Sequence, residues 1–155
     1  MKQNIGYKVT NPDMTCRGFQ FEIGKTYKHE GKIGLCSSGF HFCLSAQHCF
    51  NYYSFSPDNI VLEVQFGKNT THGDDKSVTN EITIVRQIPW DEVLRIANTG
   101  SNNTGHSNSG NWNSGNWNSG NWNSGDSNSG YRNSGDSNSG YRNSGYRNSG
   151  NWNSG

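Results

Sequence analysis

The sequence has no long apolar run, almost no excess of charge, and no paired-cysteine motif. No stretch approaches the roughly 18 apolar residues of a membrane span, and the start, MKQNIGYKVT, lacks the apolar segment of a signal peptide. A formal net charge of +1 over 155 residues gives no general attraction to nucleic acid or to an acidic membrane. Only 29% of the residues are hydrophobic, a low share for a globular protein. The four cysteines are expected to be reduced, in a cytoplasmic protein.

The shortage of hydrophobic residues is uneven. No Val, Leu, Phe or Cys occurs after Arg95. Residues 1–95 therefore form the part that can bury a core, though a small one. Residues 96–155 are dominated by Asn, Ser and Gly.

In the first part, GYKV (6–9) is expected to be a short strand, closed by a turn at Asn11-Pro12-Asp13. Phe19 to Ile23 alternates apolar and polar residues, as a half-buried strand does. Thr26 to Lys28, Ile33 to Cys36 and Gly39 to Cys43 are further strand candidates. Ser45 is positioned to cap a helix whose Ala46, Cys49, Phe50 and Tyr53 share one face. Ile60 to Phe66 is the strongest strand, with Ile60, Leu62, Val64 and Phe66 on one side. Thr70 to Lys76 is expected to be a polar loop and Val78 to Ile88 a single strand. Pro89 then opens a short helix bearing Trp90, Val93, Leu94 and Ala97. The fold class is α+β with a mostly antiparallel sheet, followed by a repeat domain. The helix at about 89–97 is placed to cap the repeats.

Residues 96–155 divide into twelve pentads ending in Asn, then Ser or Thr, then Gly. An unbroken short period marks a stacked, quasi-one-dimensional architecture. A strand alternates faces every two residues, so a period of five needs a corner in every unit. Glycine, which tolerates positive φ, supplies it. The result is a coil of short sides stacked at about 4.8 Å. The two variable slots hold Asn-Trp, Tyr-Arg, Asp-Ser and His-Ser; a small sealed interior does not exchange Trp for Arg, so these slots face out. The constant Asn and Ser or Thr are expected inside or at the corners, with the Asn side chains in hydrogen-bond ladders. A disordered tail is the alternative that such a composition allows. The four Trp and three Tyr of the repeats argue against it.

On this reading Trp112, Trp117, Trp122, Trp152, Tyr131, Tyr141 and Tyr146, beside Arg132, Arg142 and Arg147, form a contact surface suited to a protein partner or a sugar. The equal alternative is that they pack on neighbouring sides of the coil. The last unit, NWNSG, is followed by no capping segment, so that end is expected to be covered by another copy of the chain or to continue in a longer one.

Cys36, His41, Cys43, His48 and Cys49 lie close in sequence, but their spacings are not those of a structural zinc site. The cysteines among them are expected to be reduced core thiols, with no metal bound. Asp74 and Asp75 are expected to be solvated.

The pentads resemble the pentapeptide-repeat family in its Asn-x-Gly variety. The resemblance implies a right-handed quadrilateral β-helix with about four units per coil, and so about three coils in all. The family's central Leu or Phe is missing here. In the first part GFHFCLSAQHCFNYY, then IVLEVQFG, then TNEITIVRQI resemble the poly-ADP-ribose-polymerase type of ADP-ribosyltransferase. That resemblance implies NAD as co-substrate, Tyr53 near the nicotinamide stack and Glu81 as catalytic acid; GYKVT offers Lys8 where that family has His-Gly or Arg. The run GYKVTNPDMTCRGFQFEIGKTYKHEGKIGLCSSGFHFC, then FNYY, then DDKSVTNEITIVRQIPWDEVL resembles an uncharacterised domain common in phage and prophage proteins and often followed by such repeats. It covers residues 5 to about 97 and brings no established activity. The expected function is therefore that of a phage or prophage accessory protein that binds or assembles through its repeats. An ADP-ribosyltransferase-like enzyme with the repeats as a spacer, and a structural oligomer or filament subunit, are the alternatives.

Overall fold

The computed structural model describes residues 4–100 and 102–155. They form two compact units, residues 1–93 and 94–155.

In the first unit β1 (Ile5–Thr10) is followed by β2 (Thr15–Cys16), β3 (Phe19–Gln20), β4 (Thr26–Lys28) and β5 (Phe40–Phe42). One helical turn, α1 (Ala46–Cys49), precedes β6 (Ile60–Phe66), β7 (Thr70–His72), β8 (Ser77–Thr79) and β9 (Glu81–Gln87). The main sheet has the order β1-β6-β9-β4 and a second has β5-β8-β7. Every pairing in both is antiparallel, as the alternating pattern predicts. The core is Phe21, Phe42, Leu62, Val64, Ile82 and Ile84. Leu62 and Val64 come from the predicted inward face of β6, and Ile82 and Ile84 from one face of β9. Val61, assigned to the opposite face, is buried as well.

Four local expectations are corrected. Ile33 to Cys36 is not a strand: Gly34 and Ser38 make an isolated bridge that closes a turn. The helix after Ser45 is a single turn, and Ser45 gives it no side-chain cap. The loop from Thr70 contains β7, which pairs with β8 through Thr71 and Val78. The expected single strand from Val78 to Ile88 is two, because the chain changes sheets at Asn80; the Thr79 hydroxyl donates to the carbonyls of Asn69 and Glu81 at that switch.

α2 (Trp90–Ile96) follows Pro89 as predicted. Arg86 on β9 ties its start to the sheet, pairing with both Glu63 (2.8 Å) and Glu92 (2.7 Å). Of the residues expected to cap the repeats, Val93 and Ala97 are buried, and Trp90 packs on Phe55 at 4.8 Å. In the second unit the Leu94 carbonyl accepts from Asn98 Nδ2 and the Ala97 carbonyl from Ser107 N–H.

The second unit is a β-solenoid. Its coil is smaller than the four-sided form implied by the pentapeptide resemblance. Ser119 pairs in parallel with Ser129, Ser129 with Ser139 and Ser139 with Ser149, while Ser134 pairs with Ser144 on the other side. Each residue therefore meets its counterpart ten positions on, and a coil holds two pentads. The constant Asn occupies the interior and is buried from Asn98 to Asn143. The constant Ser, expected inside or at a corner, is exposed instead. In the pentads from 111 to 145 Asn is the one buried side chain of each unit; nearer the start Ala97 and His106 are buried beside it.

The corner also differs. Gly at the end of each pentad has positive φ as expected, but so does the second variable residue: Trp112, Trp122, Arg132 and Arg142 all lie between 56° and 64°. The glycine is required for a further reason. A Cβ on Gly130 would overlap the carbonyl oxygen of Gly140 in the next coil, so close stacking excludes any side chain there.

Hydrogen bonding is nearly complete along the interior. The Asn118 N–H donates to Asn108 Oδ1 at 2.9 Å, and Asn118 Oδ1 accepts from Asn128 N–H at 3.0 Å. Asn118 Nδ2 donates to the Gly125 carbonyl at 2.8 Å. The Ser119 N–H donates to the Asn128 carbonyl and the Gly120 N–H to the Ser109 carbonyl. This polar column replaces the apolar core that the composition denies to this half.

Candidate functional site

Two features carry chemistry: the outer edges of the solenoid and a cleft in the first unit.

The ten-residue coil divides the predicted contact residues between two edges. Residues 112, 122, 132, 142 and 152 share one edge, with Tyr131 and Tyr141 beside them. Trp117, Tyr146 and Arg147 belong to the other. On the first edge the rings of Trp112 and Trp122 stack at 5.1 Å with planes 7° apart, and those of Tyr131 and Tyr141 at 5.5 Å and 5°. The Arg142 guanidinium lies 4.6 Å from the Trp152 ring centre and 5.2 Å from that of Tyr141; Arg132 lies over Tyr131. The repeat geometry causes this, since identical slots recur at one coil's spacing, close to the distance at which rings stack. Trp112, Trp122 and Trp152 nevertheless stay 51%, 48% and 66% exposed. These rings therefore contact those of neighbouring coils while keeping much of their surface exposed.

Sequence reasoning missed a second role in the first variable slot. Asp126 Oδ1 accepts from the Asn116 N–H and Asp136 Oδ1 from the Asp126 N–H, each at 2.7 Å; Asn121 does the same for Asn111. The signal was the predominance of Asn and Asp in that slot.

The cleft has a volume of about 550 Å³. Lys8 of β1 lies in its wall, with only 7% of its surface exposed. Its ammonium donates to the His41 carbonyl at 2.9 Å, lies 3.7 Å from Cys16 Sγ, and sits 5.0 Å from the Phe21 ring centre. Burial lowers its pKa, partly opposed by Cys16. The Tyr53 hydroxyl donates to Cys16 Sγ at 3.0 Å, and burial followed by that bond raises its pKa. His41 Nε2 accepts from the Cys36 N–H; burial first, then Lys8, hold its pKa down. The Cys49 thiol is pushed up by its hydrogen bond with Cys43 and by burial, and the same bond lowers Cys43.

Tyr53 lines this cleft and Glu81 does not. The Glu81 carboxylate pairs with Lys28 at 3.0 Å, and Lys28 is the residue that reaches the cleft wall. His41, Cys43 and Cys49 all line the cleft; Cys43 and Cys49 are buried thiols as expected, whereas Cys36, whose N–H bonds to His41, is exposed. No group of three His, Cys, Asp or Glu among the described residues is arranged to hold a metal ion. Asp75 is held by the Tyr52 hydroxyl at 2.6 Å and by Asn51. No helix among the described residues is long and apolar enough to cross a membrane.

Residues 4–96, containing β1 to β9, the cleft and α2, match the family model of the domain of unknown function DUF7666. The chain belongs to this family. The match spans the first unit from residue 4 and the end of α2, and it leaves the repeats after Ile96 outside. No curated protein matches the chain, and neither does any solved structure. The DUF7666 domain thus supplies the cleft, and the solenoid that follows it supplies the aromatic edge.

Proposed function

We propose that the protein acts by binding, with one edge of the solenoid as the contact surface for a protein partner. The observation that carries this reading is the ladder of Trp112, Trp122, Arg132, Arg142 and Trp152, with Tyr131 and Tyr141. It is ordered by stacking, and Trp112, Trp122, Arg132 and Trp152 stay exposed on it while Tyr131, Tyr141 and Arg142 are half-buried. Rigid aromatic and arginine side chains give large contact area at low entropic cost on association. The backbone is held by the Asn column, so these residues are free for recognition. The phage or prophage setting, a host cytoplasmic location and the kinship with pentapeptide repeats belong to this proposal and rest on the sequence resemblances.

Site-specific photocrosslinking in host cells tests it. A benzophenone side chain at position 122 is expected to trap one discrete protein. The same group at Ser127, on the opposite edge, is expected not to. A chain carrying Arg132→Ser and Arg142→Ser is expected to lose the product at 122. Equal products from both edges, or a product indifferent to the arginines, would overturn the reading. A product containing two copies of the chain makes self-association the form of binding.

A further inference from the structure

We propose that the cleft of the DUF7666 domain binds a small anion carried on an aromatic ring, the acid group on Lys8 and the ring against Phe19 and Phe40. This site lies in the other unit and does not depend on the solenoid edge.

The first support is Lys8 itself. A buried ammonium is expensive unless a counter-charge meets it. The partners of Lys8 are a carbonyl, a thiol and a ring face, with no carboxylate among the described residues. The cleft wall repeats this imbalance. Lys8, Arg17, Lys28 and Lys76 line it against one acidic residue, Glu30. Lys28 is matched by Glu81, whereas Arg17 forms no ion pair among the described residues. A concave wall with an excess of cations concentrates its field on an incoming anion.

The ring is indicated by Phe19. It lines the cleft yet is 42% exposed. Edge contacts with Phe40 (5.5 Å) and Tyr27 (5.2 Å) fix its ring. That leaves a rigid aromatic surface for another ring to pack on. A volume of about 550 Å³ falls in the range of small-ligand sites. Burial lowers the pKa of Lys8, as it does for a cation that no carboxylate meets.

The test is titration of the isotope-labelled full chain with phenyl phosphate and with benzoate, followed by backbone amide shifts. Inorganic phosphate and phenol serve as partial probes. Saturable shifts at Lys8, Cys16, Phe19 and Phe40 are expected with at least one of the two complete probes, and the tighter one identifies the acid group as phosphate or carboxylate. Phosphate alone and phenol alone are expected to bind at least about tenfold more weakly. Lys8→Met is expected to weaken binding about tenfold or more. Should that variant not fold, Arg17→Ala and Phe19→Ala, at exposed positions, are each expected to weaken it severalfold. No saturable shift up to about 10 mM of either complete probe, phenol matching phenyl phosphate, or phosphate alone matching it would overturn the proposal.

Discussion

Replacing Asn118 by alanine removes the one interior side chain of its pentad. Two backbone groups lose their partners: the buried Asn128 N–H, which donates to Asn118 Oδ1 at 3.0 Å, and the partly buried Gly125 carbonyl, which accepts from Asn118 Nδ2 at 2.8 Å. The contact to the Ser114 carbonyl, at 3.5 Å, is at the limit of a hydrogen bond and adds little. An orphaned buried polar group costs about 1–3 kcal/mol and a partly buried one less, so the two together cost about 1–4 kcal/mol. That is a large part of a typical total of about 5–15 kcal/mol, and neighbouring coils are weakened with it because each rests on the next. Guanidinium unfolding read by tryptophan emission measures it, since four of the five Trp lie in the repeats. Asn118→Asp keeps the acceptor for Asn128 but turns an oxygen toward the Gly125 carbonyl and buries a charge, so near neutral pH it is expected to be worse than alanine. Ser119→Ala removes an equally constant but exposed side chain and is expected to stay within about 0.5 kcal/mol of wild type. A loss below about 1 kcal/mol for Asn118→Ala, or equal losses for Asn118 and Ser119, would refute the polar-column account.

Further outcomes follow from the same structure. Gly130→Ala, at φ 113° and facing the Gly140 carbonyl, is expected to abolish cooperative unfolding of the repeats, visible as loss of near-ultraviolet circular dichroism. Ser127→Asn, at φ 58°, places a residue tolerant of the left-handed region where serine is strained, with an expected gain on the order of 1 kcal/mol in denaturant unfolding. Leu62→Ala in the DUF7666 core, where Leu62 is fully buried, is expected to cost about 2–5 kcal/mol. Lys8 has a folded pKa below its ordinary 10.5, so the unfolded chain binds more protons between the two values, and stability rises with pH through that window. Lys8→Met is expected to flatten this rise in melts taken across the alkaline range.

How much was legible before folding differs between the halves. In the DUF7666 domain the alternating run at Ile60 to Phe66 is a strand as its period requires, and the run expected as one strand from Val78 to Ile88 holds the strand Glu81–Gln87 but breaks at Asn80. The short elements were not legible: β7 has the composition of a loop, and its strand form comes from pairing with β8. The cleft was less legible still. Lys8, Cys16, His41 and Tyr53 are scattered along the chain; the ADP-ribosyltransferase resemblance pointed to Tyr53 and Lys8, but it paired Tyr53 with Glu81, which does not line the cleft. In the repeats, the five-residue period determined by itself that the chain stacks and that glycine turns each unit, and the exchange of Trp for Arg placed those side chains outside; Ala97 and His106, in the same slots, are buried. Whether two or four pentads close a coil was left to the tertiary structure. That choice depends on which side chain fills the interior, and one Asn per pentad, bonding to the coils above and below, closes the smaller coil without an apolar core. The same closure decided that Trp112, Trp122, Arg132, Arg142 and Trp152 share an edge while Trp117 does not, because the edge a residue occupies is set by the length of the coil, which the period alone does not contain.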